Sequence, residues 1–173
     1  MKPSDIQKFI DKTKKIEKGH SMDLSSGEDL SLAIMNLIGI EEHMFFTSQK
    51  LGDTKYIDVL NTAREMRKEL MKKIVKEGQG EVWCTSKHLL SASMRLMEVG
   101  TKYLTKGDNN EANEYFKKSF DLYNLFWGLN LGLVDSDPKA VKLEKKQDIP
   151  LPKKDLLGTI SQTIGKILDC CRE

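Results

Sequence analysis

The chain has 173 residues and a net charge of only +2, with 31% charged side chains of both signs. That is the length of one ordinary domain, and no global charge demands nucleic acid or an acidic membrane as partner. No apolar run approaches the roughly 20 residues that cross a bilayer.

In chain order, helical periodicity runs almost throughout. The opening MKPSDIQKFIDKTKKIEKG is charged along its length, unlike a secretory leader. Residues 4–18 predict a short amphipathic helix with Ile6, Phe9, Ile10 and Ile16, and GHSMDLSSG interrupts it. Ser26 with Asp29 three residues later resembles a capping box and predicts a long helix that reaches Leu51 and stops at Gly52. Asp53 is placed to cap the next helix, which runs to about residue 76 and ends in EGQG. A third long helix is expected over 81–106, ended by Gly107, and Asp108 with Glu111 opens a fourth that ends near Gly132. Asp137 and Pro138 fit an N-cap and first-turn proline for a short basic helix. IPLPKK reads as an extended linker. A last amphipathic helix follows, with Leu156, Leu157, Ile160, Ile164, Ile167 and Leu168.

Long helices joined by short loops pack as antiparallel neighbours. The expected fold is all-α: an antiparallel four-helix up-down bundle with additional short N- and C-terminal helices. Residues 1–134 hold the bundle and its N-terminal helix. Residues 135–173 hold a basic linker and a C-terminal amphipathic helix packed on the bundle, in one domain overall. KLGDTKY and TKGDNNE occupy equivalent turns, which suggests two similar hairpins.

Residues 93–126 resemble a tetratricopeptide hairpin: Gly100, Tyr103, Gly107, Ala112, Phe116 and the small Ser119 fall at that family's offsets. Leu96 stands where its first large aromatic belongs, and the closing proline is missing. In the other hairpin, Phe45, Ser48, Ile57 and Asn61 replace the expected Gly, Tyr, Ala and Phe. The resemblance implies a tightly packed helix pair and a protein-binding surface.

Candidate chemistry centres on IMNLIGIEEHMFF, an apolar run interrupted by Glu41, Glu42 and His43. At 100° per residue, Glu41 falls among Leu30, Ile34, Leu37, Ile38, Met44, Phe45 and Leu51. Glu42 lies toward the edge of that face and His43 points away. The three do not converge, and the Glu-x-x-His spacing of dinuclear carboxylate bundles is absent, so neither a metal nor a cofactor is expected. A lone buried carboxylate is costly and calls for a partner. The next helix offers Arg67 inside an apolar face of Tyr56, Val59, Leu60, Ala63, Met66, Leu70 and Ile74, with Arg64 at its edge. Folding back at Gly52 brings Glu41 level with Arg64, with Arg67 one turn deeper. The same reasoning brings Ser93 to that level, and Tyr123 from the fourth helix could donate a hydrogen bond. Such a cluster is either a polar layer that fixes helix register or a pocket for an anionic ligand, with Glu41 as acid, base or hydrogen-bond partner.

A second polar strip comprises His88, Arg95 and Glu98 on the third long helix. The aromatic group Phe120, Tyr123, Phe126 and Trp127 in SFDLYNLFWGLNLG exceeds one helix face. It predicts cover by a terminal helix or by a partner protein, including self-association through helix 108–132 and the C-terminal helix. KAVKLEKKQDIPLPKK is basic but lacks aromatic interleaving, so nucleic acid is not expected. There is no glycine-rich phosphate loop, GxSxG or HExxH. Cys84, Cys170 and Cys171 show no zinc spacing, and their odd number predicts reduced thiols in a cytoplasmic setting. The sequence therefore points to a non-enzymatic helical interaction module that associates with itself. The alternative is a small-molecule-binding or enzymatic bundle using Glu41 with Arg67 or Arg64.

Overall fold

The computed structural model describes residues 24–76 and 80–134, and Asp11 by itself. The expected N-terminal helix, the basic helix after Pro138 and the C-terminal helix lie outside the described residues. The described chain is all-α, with four helices: α1 (Leu24–Leu51), α2 (Lys55–Ile74), α3 (Glu81–Thr105) and α4 (Asn109–Asn130).

Local chemistry explains the breaks. Gly52 at φ 64° and Gly107 at φ 79° occupy left-handed conformations that a side chain would disfavour, and each ends a helix. Asp108 accepts a hydrogen bond from the Glu111 N–H at 3.1 Å, the expected cap of α4. At the α2 entrance the Asp53 carboxylate accepts from the Lys55 N–H at 3.0 Å. α1 begins at Leu24 rather than at Ser26, and α2 ends two residues short of the expected limit.

The helices pair as two hairpins, α1 on α2 and α3 on α4, and the hairpins meet chiefly where α1 contacts α3. The hydrophobic core lies away from both tight turns. It gathers Ile34, Met35 and Ile38 of α1, Met71, Ile74 and Val75 at the end of α2, Leu90 of α3, and Tyr123, Phe126, Trp127 and Leu131 of α4. Each such buried side chain is worth roughly 1.5–3 kcal/mol relative to exposure. Toward the turns, Phe45, Leu51, Val59, Met66, Met97 and Leu104 are exposed, although their periodicity placed them on apolar faces. Two helices bury only the narrow seam between them, and a wider stripe needs a further neighbour.

The seam between α3 and α4 is built from small residues at heptad spacing. Ser93 and Ser119 exchange hydrogen bonds, each hydroxyl reaching the other's backbone carbonyl at 2.9 and 2.7 Å. One heptad toward the turn, Gly100 lies against Phe116 and the Ala112 carbonyl. One heptad the other way, Asn130 donates to the Ser86 hydroxyl at 2.9 Å. Near the turn the Tyr103 and Tyr115 rings stack with centroids 5.2 Å apart.

Candidate functional site

The Glu-Glu-His of α1 is divided among three tasks. Glu41 faces α2, where Arg67 grips its carboxylate through Nε and Nη2, the second contact at 3.3 Å. Arg64 Nε stands 3.6 Å from the same carboxylate. The Arg67 side chain is only 4% exposed and that of Glu41 14%. A planar guanidinium matches two carboxylate oxygens at once, which makes this a directional, charge-assisted pair. Arg67 also approaches the Met71 sulfur at 3.5 Å. Both arginines named by the hairpin geometry therefore reach Glu41.

The other two members of the expected cluster are elsewhere. Ser93 is committed to Ser119, because α3 directs its small-residue face to α4. Tyr123 Oη lies 2.6 Å from Ser31 Oγ, and Ser31 in turn donates to the Glu28 carbonyl at 2.7 Å. With the Ser31 proton directed there, Tyr123 is the donor to Ser31. Burial pushes the Tyr123 phenol above its ordinary value of 10. Glu41, Ser93 and Tyr123 do not converge on one ligand-sized space.

Ser93 and Tyr123 instead line a mostly apolar groove of about 390 Å³ formed where α1, α3 and α4 meet. Leu32 and Met35 come from α1, Met97 from α3, and Phe116, Ser119 and Phe120 from α4. Leu32, Met97 and Phe120 are 43%, 40% and 49% exposed.

A second cleft, of about 330 Å³, lies between α1 and α3. Arg95 and Glu98 line it with His43 and Asn36, and Ile40 and Met94 supply apolar wall. Arg95 is tied to Glu42, with Nε at 2.9 Å from Oε2, so this exposed pair links the hairpins. His88 is exposed and does not line this cleft. The strip read from sequence thus keeps Arg95 and Glu98, with His43 in place of His88. The cue to His43 is its position next to Glu42, which the α1–α3 contact turns toward Arg95.

Among the described residues no group of three or more His, Cys, Asp or Glu side chains could hold a metal ion, and Cys84 is an exposed free thiol. No described helix is long and apolar enough to cross a membrane. No protein-family model, curated protein or solved structure matches the chain.

Proposed function

We propose that this protein is a non-enzymatic helical interaction module that associates with itself through the groove at α4. In this reading the antiparallel up-down helices form a core flanked by the terminal helices, in a cytoplasmic setting. The observation that carries it is the groove itself: apolar side chains from three helices remain open around Phe120. Exposed apolar surface concentrated in a concavity favours docking of another apolar face. The close approach of Gly100 to Phe116 supports the tetratricopeptide-like packing of residues 93–126, and with it a protein-binding role.

The anionic-ligand reading has thinner support. Its carboxylate is already gripped by Arg67, and Ser93 and Tyr123 face another space.

Sedimentation equilibrium of the full chain, wild type against Phe120→Glu, tests the proposal. A concentration-dependent dimer in the wild type, lost in the variant without a fall in melting temperature, supports it. A wild type that stays monomeric up to about millimolar concentration sinks self-association.

A further inference from the structure

We infer that the groove between α1, α3 and α4 is the docking site of the chain's own amphipathic C-terminal segment, residues 155–168. The inference rests on the interaction-module reading and names the occupant of its groove.

The first argument is the segment's pattern. At 100° per residue, its six Leu and Ile side chains, Leu156, Leu157, Ile160, Ile164, Ile167 and Leu168, fall within an arc of about 120°. Gly158 and Gly165 lie on the opposite side. A helix this short, with two glycines and several Ser and Thr, is marginal alone in water and forms when its apolar stripe is buried. Such a stripe needs a complementary surface, and the groove offers Leu32, Met35, Met97, Phe116 and Phe120.

The second argument is where the described chain ends and how much follows. Gly132 at φ 65° closes α4 with a backbone reversal: the Gly132 N–H reaches the Leu129 carbonyl at 3.1 Å, and the Leu133 N–H reaches that of Gly128 at 2.8 Å. Leu133 and Val134 then pack against the core, so the chain leaves α4 along the body of the protein. From Val134 back to the level of Phe120 is about 20 Å along the helix. Residues 135–154 extend to roughly 65 Å at about 3.3 Å per residue, so the segment reaches the groove with slack.

Tethering also decides between occupants. A segment on a short linker faces its own groove at an effective concentration on the order of millimolar. A second copy meets that concentration only when the protein itself is that concentrated. The resting monomer is therefore closed in cis, and self-association proceeds by exchange of the segment between copies.

Hydrogen exchange on the full chain tests this, with three proteins compared: wild type, Ile160→Glu/Ile164→Glu, and Phe120→Glu. The expected result is at least tenfold slowing of exchange across residues 157–168 in the wild type, lost in both variants while α1–α4 keep their protection. Loss in the Phe120 variant is the decisive arm, because that residue lies outside the segment. Wild-type exchange at the rate of free chain overturns the inference, as does protection that survives Phe120→Glu. A synthetic peptide of residues 153–173, added to the Ile160→Glu/Ile164→Glu protein, separates the two readings. If the wild-type segment is unprotected but the peptide still slows exchange around Leu32 and Phe120, the groove is a docking surface and only the cis occupant is wrong. If neither occurs and the chain is monomeric, both readings fall.

Discussion

Gly100 and Phe116 touch so closely that a methyl group on the glycine would stand 2.6 Å from the ring edge. The Ala112 carbonyl would lie 3.2 Å from the same methyl, and backbone gives way less readily than a ring. Helix propensity favours Gly100→Ala by up to about 1 kcal/mol, whereas overpacking a tight seam costs about 1–3 kcal/mol. Steric cost is expected to win, so Gly100→Ala lowers stability by about 1 kcal/mol in urea denaturation. Gly100→Ala with Phe116→Leu recovers part of the loss. A stabilised Gly100→Ala protein would show that the seam is looser than described.

Arg67 and Glu41 form the most buried ion pair among the described residues. Arg67→Met with Glu41 retained leaves a largely buried carboxylate with only the looser Arg64 contact, and is expected to cost about 3 kcal/mol. The double change Glu41→Leu/Arg67→Met is expected to recover most of this. A thermodynamic cycle over the two sites measures the coupling. By contrast, Arg95→Gln at the exposed Glu42 pair should cost under about 1 kcal/mol, less in high salt.

Thermal melts of the wild type and Glu41→Gln, with a panel of phosphates and carboxylates, address the ligand question directly. The expected outcome is a lower melting temperature for the variant and no anion-dependent rise in either protein. An anion that raises only the wild-type value would instead establish a binding site at Glu41.

Tyr123 predicts a pH dependence. Its folded phenol titrates above the ordinary value of 10 because it is buried. Below pH 10 both folded and unfolded states keep the proton, and its contribution to stability is fully present. Above pH 10 the unfolded chain releases the proton first, so stability falls as pH rises toward the folded value. Denaturation at pH 9 and pH 11 should show a steeper alkaline loss in the wild type than in Tyr123→Phe.

Asn124 is 0% exposed, and neither polar atom of its amide has a hydrogen-bond partner among the described residues. An unsatisfied buried amide costs about 1–3 kcal/mol. Asn124→Leu, of similar size, is expected to raise stability by about 1 kcal/mol or more in denaturant titration. A large loss would reveal that the amide is satisfied.

Much of this was legible in sequence because it is governed locally. Gly52 and Gly107 ended their helices where left-handed turns require glycine, and Asp108 capped α4. The Glu41–Arg67 pair followed from helix phase and a single tight turn, which fix depth along a hairpin. Ser93 failed because its depth was carried across the α2–α3 connection, as though those helices were close neighbours, whereas the hairpins meet chiefly through α1 and α3. The missed cue was the heptad line Ser86, Ser93 and Gly100, whose small side chains mark where α4 comes nearest. His43 was missed for a related reason: a helical wheel shows which way a side chain leaves its helix, not which helix stands there.

The distance between the core and the two tight turns has a practical consequence. A substituent added at the exposed Asn110, near Gly107, or at the exposed Thr54, beside Gly52, projects from a part of the molecule that contributes little to the central packing. These turns are where a fluorophore, an affinity tag or a short inserted loop can be attached with least harm to folding. Such labels leave the α4 groove open to measurement.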